Sequence, residues 1–239
     1  TNQDSKRKAD ADFEKSVKAT SKQEREEMTF VFVTPRAWPG KKSWAEARKA
    51  QGHWRDVRSY DSSDIEQWLE QSVAAQAWFA NETHRPAKGV RSLDKAWSDW
   101  ANVADPPLSG ALFAPAIDSA KRTMEPRLAN PPEKATLIAA DSTEEAVAFL
   151  SQLFSDAGGD LVAYRDRVVV FDEPGILPKL AEGAPSFIAV ATKRRVEREL
   201  ATLARSIHSI VLCPRNAANS EPDIILEPLN YEGFRTALE

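Results

Sequence analysis

The chain has 239 residues, of which 42% are hydrophobic, and this is enough for one large domain or two small ones with a buried core. Its formal net charge of −4 excludes a chain that is basic throughout, so any nucleic-acid surface must be local. No apolar run approaches the length of a bilayer span, so we expect no membrane partner. The single cysteine, Cys213, excludes an internal disulfide and favours a reducing, cytoplasmic location.

The start of the chain predicts helix and strand in alternation. It has no initiator methionine and opens on a polar run, so we expect a piece of a longer protein. Residues 10–19 predict a helix with a thin apolar stripe, and residues 20–27 a charged connector. The continuous apolar run Phe30–Val33 is typical of a buried strand, and residues 54–60 predict a second strand.

Two helices are predicted around the second strand. Ser43 and Glu46 form the S-x-x-E pattern of a capping box, which indicates a helix over residues 44–50. Another helix is predicted to begin between residues 61 and 64 and to continue to about Phe79. This order of elements implies a small α/β layer with neighbouring strands.

A proline-rich region follows and indicates a domain boundary. Residues 93–103 predict a short helix with Trp97 and Trp100 on one face, a pattern typical of core packing. Six prolines between residues 105 and 133 disfavour long regular structure, so we expect an ordered linker with at most one short helix around residues 117–123.

From residue 135 onwards, strands and helices alternate. The predicted strands cover 136–140, 186–191, 209–213 and 224–226, and the predicted helices cover 142–156, 174–181, 195–206 and 231–238. Residues 161–164 and 167–171 predict one interrupted strand or a hairpin. The continuous apolar strands imply a mainly parallel sheet covered by helices on both faces. The overall fold class is therefore α/β.

The segment between the first two strands is basic and aromatic. From Pro35 to Arg58 there are seven Lys or Arg residues against two acids, together with three tryptophans. Such a mixture can neutralise phosphates and stack on sugars or bases. In the alternative interpretation, the tryptophans are core or loop anchors and the charges form a solvated face. The candidate DNA-binding residues are Arg36, Trp38, Lys41, Lys42, Trp44, Arg48, Arg55 and Arg58.

The second half of the chain lacks a recognisable phosphate-binding turn. Its first strand–helix turn has neither the glycines nor the lysine of a phosphate loop. Asp141, Glu144 and Glu145 instead place negative charge where a triphosphate would lie. The run at 168–173 resembles an apolar strand followed by magnesium-binding acids, but Asp172 also suits the cap of the next helix.

Several stretches together resemble a known family. KADADF at 8–13, TFVFVTPRAWPGK at 29–41, WRDVR at 54–58 and DIEQWLE at 64–70 resemble the later half of the restriction-endonuclease-like domain of Mrr type, PD-(D/E)XK. The second half, with PRNA at 214–217 and LEPL at 226–229, resembles the degenerate STAND or NTPase-like α/β domain that follows in large bacterial defence-type proteins.

This resemblance implies a domain plan. Residues 1–83 would form a partial nuclease-like α/β domain, residues 84–133 a helix and proline-rich linker, and residues 134–239 a Rossmann-like, degenerate NTPase-like domain. In that family the metal-binding acids precede the lysine-bearing helix, so their counterparts would lie before Thr1. Magnesium is thus implied for the parent nuclease, and no cofactor is evident in this chain.

The resemblance offers one catalytic candidate, Lys8, which would stabilise the attacked phosphate. The leading hypothesis is a fragment of a DNA-targeting, endonuclease-like defence protein that contacts the DNA backbone. Its partners would be DNA and other domains of a longer parent chain, and the fragment itself could be inactive. The alternative is a non-catalytic regulatory or assembly module whose nucleotide-fold-like domain no longer binds NTP.

Overall fold

The computed structural model describes residues 2–85, 87–183, 186–203, 205–218, 220–229 and 235. These residues form a mixed α/β fold, which confirms the predicted fold class. The chain divides into two compact units, which we call the first unit (residues 1–70) and the second unit (residues 71–239). None of the helices in the described ranges is both long enough and apolar enough to cross a membrane.

The first unit is built on two parallel strands with a helix in their connection. Its elements are α1 (Asn2–Ala19), α2 (Lys22–Glu27), β1 (Thr29–Val33), α3 (Lys41–Lys49), β2 (Asp56–Tyr60) and α4 (Ser62–Gln71). Thr29 lies opposite Asp56 and Val33 lies opposite Tyr60, so β1 and β2 pair along their whole length. Parallel neighbours cannot be joined by a tight turn, and α3 supplies the crossover.

One face of this sheet carries an aromatic core. In β1, Phe30 and Phe32 are buried, whereas Val31 and Val33 are 48% and 51% exposed. Side chains alternate along a strand, so these two pairs lie on opposite faces of the sheet. Phe13 of α1 packs edge-on against Phe30, with ring centroids 5.1 Å apart. The buried residues of this core are Ala9, Phe13, Phe30, Phe32, Trp38, Trp44, Trp54 and Val57.

Helix starts in the first unit differ from the prediction because of local hydrogen bonds. The predicted connector contains α2, since Ser21 and Glu24 form a capping box. The Ser43 hydroxyl donates to the carbonyl oxygen of Gly40 at 3.1 Å instead of capping, and α3 begins earlier than predicted. α1 also begins earlier, at Asn2.

A single helix was expected to continue to about Phe79, but the chain forms two. Ser72 is extended, with φ −123° and ψ 102°, and its hydroxyl accepts a hydrogen bond from the amide of Ala75 at 3.2 Å. A serine in this position satisfies an amide at a helix start, so the next helix begins at Val73.

The second unit contains a six-stranded sheet in the order β3-β5-β6-β7-β4-β8, in which only β3 is antiparallel to its neighbour. Its strands are β3 (Val90–Ser92), β4 (Thr136–Ala140), β5 (Val168–Phe171), β6 (Ile188–Ala191), β7 (His208–Pro214) and β8 (Ile224–Ile225). Its helices are α5 (Val73–Glu82), α6 (Leu93–Ala101), α7 (Ala114–Ala129), α8 (Thr143–Leu153), α9 (Leu177–Gly183) and α10 (Arg194–Leu203). Short 3-10 helices cover Gly110–Phe113, Asp160–Arg167 and Arg215–Ala217.

Helices cover both faces of this sheet, as the apolar runs predict. All four residues of β5 and of β6 are buried, which is typical of strands in a sheet that is covered on both faces. One core joins the sheet to α6, α7 and α8, with Phe149 fully buried in it. The other core joins the opposite face to α5, α9 and α10 and includes Phe171 and Leu200.

The proline-rich region is part of the second unit, in contrast to the linker predicted over residues 84–133. α7 spans 16 residues, with Pro115 in its first turn and Pro126 near its end. A proline is tolerated in the first turn because an amide N–H at that position would have no hydrogen-bond partner within the helix. Ala120 and Met124 of α7 are buried in the core beside α8, so the observed division of the chain falls near residue 70 instead.

Three further expectations differ from the structure or lie outside it. β3 was not predicted, because three residues are too few to show an alternating pattern. Residues 160–167 form a 3-10 helix where residues 161–164 were expected to be strand. The predicted helix over 231–238 lies outside the described residues, apart from Arg235.

The core of the first unit yields a stability prediction. Replacing Phe13, which is 2% exposed and contacts Phe30 and Trp44, with alanine should lower the free energy of unfolding of this unit by about 3–5 kcal/mol. Urea unfolding followed by tryptophan fluorescence measures this change. The control Glu14→Ala, at the adjacent exposed position, should cost well under about 1 kcal/mol. Equal losses for both variants would contradict the placement of Phe13 in the core.

Candidate functional site

The two tryptophans proposed to stack on DNA bases lie inside the first unit. Trp38 is 3% exposed and Trp44 is 6% exposed. Trp38 packs edge-on against Phe32 with ring centroids 5.7 Å apart, and the two indoles contact each other at 5.6 Å. This packing leaves no indole face on which a base could stack, so the structure supports the alternative that these tryptophans anchor the core.

Lys41 is held by carboxylates at the end of β2. Its Nζ atom lies 2.6 Å from Asp61 Oδ1 and also contacts Asp64, and its side chain is 15% exposed. The other oxygen of Asp61 accepts a hydrogen bond from the amide of Trp38 at 2.8 Å. Burial alone would raise the pKa of Asp61, but the ammonium group and the amide lower it to about 2. Lys41 therefore ties the loop after β1 to the start of α4.

Arg48 is held in a similar way against α1. Its guanidinium lies 2.6 Å from Asp10 Oδ1, and the same oxygen accepts a hydrogen bond from the indole of Trp44 at 2.6 Å. The guanidinium also lies 5.2 Å from the ring centroid of Phe13, a cation–π distance. Burial acts against ionisation of Asp10, but these two donors lower its pKa overall. Arg48 is thus committed to internal contacts.

The remaining candidates of the basic segment are exposed to different degrees. Arg58 donates to Asp56 at 3.0 Å, and Lys49 reaches the same carboxylate at 2.8 Å. These contacts lower the pKa of Asp56 to about 2. Lys42 and Arg55 are exposed and, within the described part of the chain, form no ion pair.

Lys8 and Arg36, which the sequence places in separate elements, line the same groove. This groove of about 770 Å³ runs between α1 and the end of β1. It is lined by Asp4, Ser5, Arg7, Lys8, Ala11, Phe32, Val33, Thr34, Pro35 and Arg36, and we call it the basic groove. Lys41, Lys42, Arg48, Arg55 and Arg58 do not line it.

The charges of the basic groove are only loosely paired. Arg36 lies 3.8 Å from Asp4, and Arg7 lies 3.5 Å from the same carboxylate. Lys8 lies 3.2 Å from Asp12 across one turn of α1. The three basic side chains are between 63% and 85% exposed, so an incoming anion can reach them. Arg7 was not among the predicted site residues, although it directly precedes Lys8 in the sequence.

A buried hydroxyl also belongs to this groove. Ser5 is 4% exposed, and its Oγ atom has no hydrogen-bond partner among the described residues. A buried polar group without a partner is uncommon, and a hydroxyl can donate to an anion. The basic groove is thus lined by three exposed cations and by one buried hydroxyl that has no partner in the described part of the chain.

Of the two acids suspected of binding magnesium in the second unit, Asp172 is engaged by an arginine and Glu173 by Lys88. Arg91 of β3 donates to both oxygens of Asp172, at 2.6 and 3.0 Å, and also lies 3.2 Å from Glu144. The Thr192 hydroxyl donates to Asp172 at 2.8 Å. Asp172 therefore does not cap the following helix with its side chain, and its hydrogen-bonding capacity is largely used inside the unit.

No group of three or more His, Cys, Asp or Glu residues in the described ranges could hold a metal ion. The magnesium that the endonuclease-like resemblance implies therefore has no ligand set among these residues. Comparisons of the chain with known protein families, with curated proteins and with solved structures find no match.

The Asp61 carboxylate yields a pH-dependent prediction. Asp61→Asn should lower the free energy of unfolding of the first unit by about 1–3 kcal/mol at neutral pH, because Lys41 loses a buried partner. The pKa of Asp61 is lowered from 3.8 to about 2, so its contribution is present above pH 4 and is lost as the pH falls towards 2.

Urea unfolding of the wild type and Asp61→Asn between pH 2 and pH 7 measures this difference. The exposed carboxylate variant Glu66→Gln serves as the control and should follow the wild type. A cost of Asp61→Asn that is the same at pH 2 and pH 7 would contradict the role of its charge.

Proposed function

We propose that the first unit contacts the sugar–phosphate backbone of DNA through the basic groove, as part of a DNA-targeting, endonuclease-like bacterial defence protein. The observation that carries this proposal is that Lys8 and Arg36, named from separate parts of the sequence, meet with Arg7 in one groove. Cations in a concave site raise the local concentration of a polyanion.

The weak pairing of these cations supports the proposal. Exposed ion pairs contribute only about 0–1 kcal/mol, so a phosphate can replace Asp4 as the partner of Arg7 and Arg36 at little cost. Lys41 and Arg48 differ, because removing either from its carboxylate would leave a partly buried charge unpaired. The proposed contact set is therefore smaller than the basic segment suggests.

The number of cations sets the expected strength of binding. Three phosphate contacts correspond to a slope of roughly −2.7 in the logarithm of the binding constant against the logarithm of salt concentration. Sequence-independent binding of this kind has a Kd of about 10⁻⁴–10⁻⁶ M at physiological salt. In the endonuclease-like interpretation, Lys8 stabilises the phosphate that is attacked.

Charge reversal tests this proposal. The double variant Lys8→Glu/Arg36→Glu should weaken binding to unrelated DNA duplexes equally, by roughly tenfold or more, and should reduce the salt slope by about 1.8. Fluorescence anisotropy with labelled duplexes at several salt concentrations measures both quantities.

The control is the double variant Lys15→Glu/Lys22→Glu, which makes the same change in net charge at exposed positions outside the basic groove. It should retain most of the affinity. If both double variants lose affinity alike, net charge alone explains the binding and the basic groove is not the site.

A second candidate function concerns the second unit, which we infer to be a non-catalytic regulatory or assembly module that does not bind NTP. The observation favouring it is the two-point contact of Arg91 with Asp172, which occupies the carboxylate that a magnesium–nucleotide complex would require. Asp141 and Glu144 add negative charge near the first strand–helix turn, and this disfavours a triphosphate.

A thermal shift experiment tests this inference. ATP with magnesium at a concentration of 100 times Kd would stabilise a binding protein by about 2.7 kcal/mol. That corresponds to a rise in Tm of several degrees for a unit of this size. We expect no rise beyond that produced by magnesium chloride and sodium triphosphate as matched controls. A specific rise with ATP and magnesium would contradict the inference.

A further inference from the structure

Glu145, in the first turn of α8, is a buried carboxyl group that is not fully satisfied. It is 6% exposed, and its backbone amide donates to the Ser142 hydroxyl at 3.1 Å. Its Oε1 atom is buried and has no hydrogen-bond partner among the described residues. A helix cap therefore accounts for the backbone of Glu145 but not for this oxygen.

The neighbouring charges do not neutralise Glu145. Arg215 lies 3.4 Å from Asp141 and donates to the carbonyl oxygen of Leu226, and its Nε atom has no hydrogen-bond partner among the described residues. Burial raises the pKa of Glu145, and the adjacent Asp141 raises it further, while Arg215 and hydrogen bonds from the backbone of Ser142 and Asp141 offset these effects only in part. A cation placed beside Glu145 would remove this imbalance.

Such a cation has room to bind. Glu145 lines a groove of about 420 Å³ beside α7 and β8, which we call the apolar groove. Its walls are mainly apolar and include Leu112, Phe113, Ala116, Leu226 and Leu229. Small-molecule sites typically have volumes of about 300–1,000 Å³ and combine apolar walls with a few polar groups.

We propose that the apolar groove binds a small cationic ligand with a flat apolar body, such as an aryl amidine, which pairs with the carboxylate of Glu145. A carboxylate accepts hydrogen bonds and an amidinium only donates them, so the two are complementary. Asp223 also lines the groove but is already paired with Arg127 and Lys134, so Glu145 is the carboxylate that selects a cation. This site lies in the second unit and does not depend on DNA binding by the first.

Benzamidine is the probe for this proposal, and benzoate, which has a similar shape and the opposite charge, is the control ligand. Titrations of the isotope-labelled 239-residue chain, followed by NMR chemical shifts, give the affinities. We expect benzamidine to bind in the millimolar range or tighter, and benzoate to bind at least tenfold more weakly. Failure of benzamidine to bind, or equal binding of both molecules, would overturn the proposal.

Two variants locate the site. Glu145→Gln keeps the side-chain volume and removes the charge, and glutamine is also suited to the third position of a helix that begins with a capping serine. This variant should weaken benzamidine binding at least tenfold. Glu221→Gln, which changes an exposed carboxylate outside the groove, should change the affinity less than twofold. Unchanged affinity of folded Glu145→Gln would overturn the proposal. If circular dichroism shows that this variant does not fold, the relative affinities of the wild type for benzamidine and benzoate decide whether the proposal stands.

Discussion

The carboxylates of Asp10 and Asp61 hold the segment between β1 and β2 against the rest of the first unit. Asp10 receives the indole N–H of Trp44 and the guanidinium of Arg48, while Asp61 receives the amide of Trp38 and the ammonium of Lys41. Each acid thus fixes one tryptophan and one cation together. A unit of about 70 residues has a small core, so these polar contacts add to the packing that orders it.

This arrangement separates two kinds of basic residue that look alike in the sequence. A cation paired with a carboxylate that is at least partly buried cannot leave it without stranding an unpaired charge, whereas an exposed cation exchanges partners at little cost. Lys41 and Arg48 belong to the first kind, and Lys8 and Arg36 to the second. The polyanion-binding surface proposed for this unit is therefore formed by α1 and by Arg36, the first basic residue of the segment. The middle of the segment is not part of it.

The sequence predicted those features that depend on local patterns. The strands β1, β4, β5 and β6 follow from short apolar runs, and the covered parallel sheet follows from their alternation with helices. Contacts between distant residues could not be predicted. Asp10 lies 34 positions from Trp44, and Arg91 lies 81 positions from Asp172, so nothing in the local pattern identified these partners. The prediction of a linker from the prolines of α7 was wrong for another reason. The effect of a proline on a helix depends on whether it lies in a terminal turn or in the middle of the helix.

The open face of the two-stranded sheet has a consequence for the behaviour of the protein in solution. Val31 and Val33 are about half exposed, and in the described part of the chain β1 pairs only with β2. A strand with an unpaired edge and exposed β-branched residues can template pairing with another molecule. Arg58 lies directly opposite Val31, and a charge at that position discourages such pairing. The permanent charge of Arg58 therefore disfavours association of this protein with other molecules through β1.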